Sequence, residues 1–191
     1  MEHTKHPIPD NARVFFKNLS EYLDIKLLYF GSIQRKDYFP GISDIDVDVF
    51  ASNVSSALAK MKQYMNLPNE KVKKVFWKLG YSDKVVTGYK MMYKADGFSA
   101  EFSLYDEKFK QDVIFEHTVK SNLPFYIEWL LIIIKVLHYQ FEILDRELFS
   151  YAKEKILNVL LGSKEIFVVI KWIGRVCPTK KLKLFTLIVM A

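Results

Sequence analysis

The sequence predicts an α+β (α/β mixed) fold, in which helices flank a small mixed β-sheet and a helical region follows at the C-terminal end. Two observations predict it. Short apolar or alternating stretches interleave with helical patterns up to residue 106, and the hydrophobic period is helical from about residue 107 onward. The chain has 191 residues, of which 50% are hydrophobic, enough for one core and a smaller helical unit. We therefore expect a core over residues 1–118 and a helical region over residues 119–191.

The first half of the predicted core contains two helices and two strands. Asp10 or Asn11 is expected to cap the first helix. A buried strand should follow and end at Gly31, and Ser52 or Asn53 should cap the second helix. The predicted ranges are a helix up to about residue 24, strands over 25–30 and 44–50, and a helix over 52–65.

The second half of the core is predicted to contain a hairpin. Ala95, Asp96 and Gly97 form a strong signal for a short turn between two alternating strands, over residues 85–94 and 98–105. On the second of these strands, side chains alternate between an apolar and a polar face.

Residues 71–78, KVKKVFWK, combine lysines with aromatic rings and allow two interpretations. One is a nucleic-acid contact, in which lysines neutralise phosphates and a ring stacks on a base. The other, which we favour, is an amphipathic segment that buries Val72, Val75, Phe76 and Leu79.

Within the helical region, one helix is predicted to start near Pro124, with further helices over residues 142–161 and 165–176. Its longest uncharged apolar run, Trp129 to Ile134, is too short to span a bilayer, so no membrane association is predicted. The very apolar residues 182–191 should dock on the core, on a partner or in an oligomer.

Charge and cysteine content bear on the binding partners and the cellular compartment expected for the protein. The formal net charge of +6 is compatible with a polyanionic partner such as nucleic acid or nucleotide. The single cysteine, Cys177, excludes an intramolecular disulfide and fits the cytoplasm or another reducing intracellular compartment. The polar N-terminus lacks the apolar centre of a signal peptide.

Three carboxylates dominate the predicted second strand. Asp44, Asp46 and Asp48 are spaced two apart, so on a strand they project from one face while the apolar residues between them enter the core. Carboxylates on one face repel each other unless a cation lies among them, and Mg²⁺, with Mn²⁺ as an alternative, prefers such hard oxygen ligands. A third site carboxylate should come from the polar face of the hairpin, either Glu101 or Asp106.

Gly31 and Ser32 would complement a metal site. Glycine permits close backbone approach, and N–H groups at a following helical turn can bind phosphate oxygens, with the Ser32 hydroxyl as a further donor. Asp44 follows Ser32 after eleven intervening residues.

At these residues the sequence resembles the polymerase-β-like nucleotidyltransferase superfamily, whose signature is Gly-Ser followed by Asp-x-Asp. The resemblance implies that Gly31 and Ser32 bind the triphosphate, and that Asp44 and Asp46 bind metal. The family's third carboxylate lies on a later strand between apolar neighbours, a place that Glu101 fits.

The resemblance also bears on two neighbouring residues and two histidines. Arg35 occupies a position where minimal family members often carry a nucleotide-binding arginine. Asp48 matches no family role and is expected to face water or pair with a lysine. His117 and His138 are expected to be surface and core residues and not catalytic ones.

The activity that the resemblance implies is Mg²⁺-dependent transfer of a nucleoside monophosphate from an NTP, such as ATP, to a hydroxyl acceptor, with release of pyrophosphate. Asp44, Asp46 and Glu101 would be the catalytic and metal-binding residues. The acceptor stays open among RNA, protein and small molecules. The alternative is a non-catalytic, antitoxin-like binding module on the same fold.

Overall fold

The computed structural model describes residues 2–79, 84–95, 97–161 and 168–170, and these residues form five α-helices and six strands. The helices are α1 (Asp10–Leu23), α2 (Val54–Tyr64), α3 (Lys110–Ser121), α4 (Phe125–Tyr139) and α5 (Arg146–Leu161). The strands are β1 (Leu28–Phe30), β2 (Ile45–Ala51), β3 (Val72–Lys78), β4 (Val85–Ala95), β5 (Phe98–Asp106) and β6 (Val168–Ile170). This mixture of a sheet and flanking helices confirms the predicted fold class.

The six described strands form one mixed sheet in the order β1-β2-β5-β4-β3-β6. β2 and β5 are parallel, whereas the other neighbouring pairs are antiparallel. The register of the parallel pair places Asp46 opposite Glu101 and Asp48 opposite Ser103. Residues opposite each other project from the same face, so the acidic strand and the hairpin share one polar surface.

The two faces of the sheet are covered differently. On one face, Phe16 and Leu19 of α1 and Met61 of α2 pack against Val47 and Phe102 in the largest apolar cluster. On the opposite face a smaller cluster lies under α3, and the rings of Trp77 and Tyr105 stack there with centroids 5.7 Å apart. The first two aspartates lie on this second face, towards the beginning of β2.

The predicted cap of the first helix is wrong, and the predicted cap of the second helix is confirmed. Asp10 and Asn11 do not cap α1, because the capping position is occupied by Pro9 and Asp10 is already the first helical residue. The prediction for α2 is confirmed: the Asn53 side chain accepts a hydrogen bond from the backbone N–H of Ser56 at 3.0 Å.

The structure corrects parts of two predictions along the chain. Residues 72–78 form the strand β3; Val75 and Leu79 are buried as predicted, whereas Val72 and Phe76 are only partly buried and Trp77 is buried as well. Trp77 is 6% exposed and packed on Tyr105, so it cannot stack on a base. Of the helix predicted over 165–176, only Val168–Ile170 are described; they form a strand that pairs with β3, and the rest of the range lies outside the described residues.

The helical region has its own apolar cluster. Ile127, Leu131 and Ile134 of α4 pack against Phe149 of α5. None of the helices within the described ranges is long and apolar enough to cross a membrane. The division at residue 118, which falls within α3, stays a prediction. Cys177 and residues 182–191 lie outside the described residues.

Candidate active site

The site begins with the two aspartates at the start of β2. Asp44 immediately precedes the strand and Asp46 is its second residue, and both carboxylates are half-buried. Glu101, which is 55 positions further along the chain, stands directly opposite Asp46 on the parallel strand β5. The three carboxylates predicted from the sequence therefore share one face of two adjacent strands.

Asp106, the rival for the third carboxylate, lies elsewhere. It is the last residue of β5 and is paired with Ala51, five positions beyond the Asp46–Glu101 pair. At about 3.3 Å per residue, that is roughly 16 Å along the strands. Its side chain accepts a hydrogen bond from the backbone N–H of Lys108 at 3.0 Å, as the cap of a short turn. The geometry therefore favours Glu101.

Gly31 is packed against Asp46. Its φ of +72° lies in the left-handed region, and a Cβ built on it would stand 1.8 Å from the Asp46 Oδ2 atom. No side chain fits at this position. Gly31 and Ser32 begin a 3₁₀ turn, Gly31–Gln34, directly after β1, so backbone N–H groups lie beside the acidic strand. Ser32 is buried, and triphosphate binding by this pair stays a prediction.

Burial and crowding raise the pKa values of both aspartates. Burial is the main cause of the rise in the pKa of Asp46 to about 6, to which the neighbouring Glu101 charge adds. Burial and the Glu101 charge also raise the pKa of Asp44. Lys153, on α5, opposes both shifts and thereby brings a positive charge from the helical region to the site. A carboxylate cluster with raised pKa values is one that a cation would stabilise.

Lys90, which the sequence reasoning missed, lies among these acids. Its Nζ atom is 2.5 Å from Glu101 Oε1. Burial alone would lower the pKa of Lys90, but Glu101, Asp46 and Asp48 together raise it above its ordinary value. Lys90 could have been identified from the predicted hairpin turn. A two-residue loop fixes the hairpin register, and that register places Lys90 diagonally opposite Glu101.

The carboxylate oxygens at this site suit a divalent metal ion, although Asp44 and Glu101 are bonded to other side chains. Carboxylate oxygens are the ligands that Mg²⁺ and Mn²⁺ prefer, and Asp44 and Asp46 are spaced to supply them from one strand face. Among the described residues, no three acidic, histidine or cysteine side chains are gathered as a ready metal site. Glu101 is engaged by Lys90, and Asp44 accepts a hydrogen bond from Ser99.

Arg35 is part of a buried charge network. Its Nε and Nη2 atoms donate to the two Asp37 carboxylate oxygens at 2.8 and 3.2 Å. Lys135 of α4 reaches the same carboxylate at 3.1 Å, and none of the three side chains is more than 4% exposed. Burial would raise the pKa of Asp37, but the two cations hold it below its usual value. The network attaches the loop between Gly31 and β2 to α4. Nucleotide binding by Arg35 stays a prediction.

Asp48 belongs to the support of the site. The expectation that it faces water or pairs with a lysine is wrong, because it is 1% exposed and lies 2.9 Å from His117 Nε2 of α3. The His117 ring also stacks on Phe30, the residue before Gly31, with centroids 4.0 Å apart. His117 thus connects α3 to β2 and to the end of β1. In the helical region, His138 Nδ1 donates a hydrogen bond to the Leu144 carbonyl oxygen at 2.6 Å.

Comparison with known proteins decides the family. The family model described as the nucleotidyltransferase domain matches residues 11–183, most of the chain. The chain belongs to the nucleotidyltransferase family. This confirms the resemblance found in the sequence and assigns the domain to the nucleotidyltransferase class. No curated protein matches the chain as a relative.

Two solved structures are similar to this nucleotidyltransferase. One is Cid1, described as having RNA terminal uridylyl transferase activity, with 15% identity and a TM-score of 0.38 over 68% of this chain and 41% of that one. The other is the polymerase core of TRAMP, an RNA surveillance complex, with 17% identity and a TM-score of 0.39 over 82% of this chain and 50% of that one. The chain spans half or less of the length of both structures.

Proposed function

We propose that this nucleotidyltransferase moves a nucleoside monophosphate from an NTP to a hydroxyl acceptor in a Mg²⁺-dependent reaction. The single observation that carries the proposal is the contact of Gly31 with Asp46 directly opposite Glu101. It places the backbone turn at Gly31 beside the carboxylate of Asp46, on the strand face shared with Asp44 and Glu101. In the reaction, the acceptor oxygen would bond to the α-phosphorus, the bond to the β-phosphate oxygen would break, and pyrophosphate would leave.

The residues have separate roles in this proposal. Backbone N–H groups of Gly31 and Ser32 would hold the phosphates of the NTP. Asp44 and Asp46 would hold the divalent cation, which supplies charge stabilisation and polarisation of phosphate oxygens when bound. Glu101 would be a further ligand of the cation and would accept the proton of the acceptor hydroxyl. Lys153 would offset part of the negative charge that develops on the leaving pyrophosphate.

A row of lysines supports a polyanionic acceptor such as RNA. Lys90 and Lys73 are paired across β4 and β3 and project from the face that carries Glu101. Lys94 lies four residues further along β4, on the same face as Lys90. It is close enough to Asp44 for its charge to act to lower the pKa of that carboxyl. Positive charges that extend from the acceptor side of a site are suited to a phosphodiester backbone.

The proposal is tested by incubating the protein with each of the four labelled NTPs and with RNA, protein or small-molecule acceptors in Mg²⁺. We expect label transfer and pyrophosphate release with the wild type and none with Asp46→Asn. Asp106→Asn is the matched control, since it makes the same change on a carboxylate at the far end of β5, and it should retain transfer. Full activity of Asp46→Asn would overturn the proposal.

The non-catalytic alternative is favoured by one observation, the occupation of Glu101 by Lys90. The two functions differ in what NTP binding requires. Thermal stabilisation that needs NTP and Mg²⁺ together supports the enzyme. Absence of any shift with NTP and Mg²⁺, combined with absence of label transfer, supports the binding module.

A further inference from the structure

The position of Lys90 is unusual because it forms an ion pair with Glu101, the carboxylate that the proposed reaction requires to be available. It lies on β4, the neighbour of β5 on the side away from β2. Strands are about 4.8 Å apart, so its backbone lies roughly 10 Å from β2 and one strand away from Glu101. The ammonium ends 2.5 Å from Glu101 Oε1, on the face that also carries Asp46 and Asp48.

Stability alone does not account for this ion pair. The side chains of Lys90 and Glu101 are 30% and 29% exposed, and pairs with such access to water contribute about 0–1 kcal/mol. What distinguishes the pair is its location. A lysine ammonium is a compact point charge that donates to the same oxygen lone pairs that would bind a metal ion. It also repels a divalent cation at short range.

We propose that Lys90 is a tethered counter-ion of the third carboxylate, holding Glu101 in the metal-free protein and competing with the divalent cation for it. This inference rests on the proposed function, since it requires a metal to be bound beside Asp44 and Asp46. The triphosphate of an NTP adds negative charge to the site, so the competition favours Lys90 before the nucleotide binds and the metal afterwards. Lys90 is in this sense a positioning residue that couples metal binding at Glu101 to the presence of substrate.

The test measures metal binding and not turnover. Mn²⁺ is titrated into the full chain without nucleotide, and free Mn²⁺ is followed by electron paramagnetic resonance. We expect Lys90→Gln to bind Mn²⁺ about tenfold more tightly than the wild type, because a unit charge close to the cation has been removed. With a non-hydrolysable NTP present, the wild type and the variant should differ by less.

Lys84→Gln is the matched control. Lys84 is next to the first residue of β4 and pairs with Asp112 at 2.9 Å, so this variant also removes one cation and one surface ion pair. Its Mn²⁺ affinity should equal that of the wild type. The double variant Lys90→Gln/Glu101→Gln should lose the gain of Lys90→Gln, since the competition is for the Glu101 carboxylate.

The outcomes separate this proposal from the proposed function. Equal Mn²⁺ affinities of Lys90→Gln and Lys84→Gln, with binding by the wild type, overturn the role of Lys90 and leave the metal site standing. No Mn²⁺ binding by any variant, even with NTP, overturns the proposed function itself. If Lys90→Gln does not fold, Lys90→Met keeps the aliphatic stem and should give the same gain. Lys90→Arg keeps the charge, and a tenfold gain in that variant would contradict the proposal.

Discussion

Asp46 and Glu101 stand directly opposite each other on two adjacent parallel strands, although 55 positions separate them in the chain. The Glu101 charge adds to the burial that raises the pKa of Asp46. The fold therefore concentrates negative charge at this point, and Lys90 and Lys153 offset part of it. The following predictions depend on that charge and on the residues that support it.

Asp46→Asn should abolish nucleotidyl transfer and stabilise the metal-free fold. Burial is the main reason that the folded pKa of Asp46, about 6, exceeds its unfolded value of 3.8. The unfolded chain releases this proton more readily, so the ionised group destabilises the fold at neutral pH by roughly 1–3 kcal/mol. Urea unfolding in EDTA measures the gain, with Asp106→Asn as control. A loss of stability in Asp46→Asn would contradict the burial argument.

Metal binding should weaken as the pH falls through about 6, because Asp46 is a ligand only when it is ionised. The same group makes the metal-free fold lose stability as the pH rises from 4 towards 6, since the folded state binds the proton more tightly there. Mn²⁺ titrations from pH 5 to pH 8 check the first statement. In Asp46→Asn this step of the pH profile should be missing.

Gly31→Ala should remove NTP binding, whereas Gly41→Ala should retain it. Both glycines have positive φ, at +72° and +76°, so both substitutions cost about 1 kcal/mol of backbone strain. Only at Gly31 does the added Cβ meet the Asp46 carboxylate; at Gly41 nothing lies within 4 Å. The pair of variants thus separates backbone strain from displacement of Asp46. NTP binding is measured in Mg²⁺ by calorimetry, and equal affinities in both variants would show that the contact is unimportant.

Asp37→Asn should destabilise the protein by about 3 kcal/mol, because it leaves the guanidinium of Arg35 and the ammonium of Lys135 buried without their anion. Lys135→Met leaves the two Arg35–Asp37 bonds in place and should cost less. Since the cations hold the folded pKa of Asp37 below its unfolded value, its contribution is present above about pH 4 and is lost in acid. Urea unfolding at pH 7 and pH 3 measures both effects, and an equal loss at both pH values would contradict this assignment.

His117→Ala should destabilise the protein by about 1–3 kcal/mol at neutral pH, because Asp48 then stays buried without the imidazole that lies 2.9 Å away. Burial raises the pKa of Asp48. Urea unfolding at pH 7 measures the loss, and an unchanged stability of His117→Ala would contradict this assignment.

The strand that carries the acids was predictable from the sequence because local rules determine it. Asp44 and Asp46 alternate with apolar residues, and that period of two requires a common face once the strand is buried on the other side. The Gly-Ser pair and its distance from Asp44 were recognisable for the same reason: a turn packed against the Asp46 carboxylate tolerates few residues. The hairpin turn at Gly97 was equally local, and its register carries Glu101 and Lys90 with it.

The roles of Arg35, Asp48 and Lys90 required the tertiary structure. Their side chains are polar, and polarity alone does not reveal whether a residue faces solvent, a ligand or a buried partner. Arg35 pairs with the nearby Asp37, but Lys135, which completes the network, comes 100 positions later in the chain. Asp48 pairs with His117, which lies on a helix from the other half of the core. The sequence by itself determined the strand, the turn and the nucleotidyltransferase family, because these depend on spacing along the chain. Only the fold decided which charges meet, because electrostatic pairing depends on distances in space that side-chain polarity does not encode.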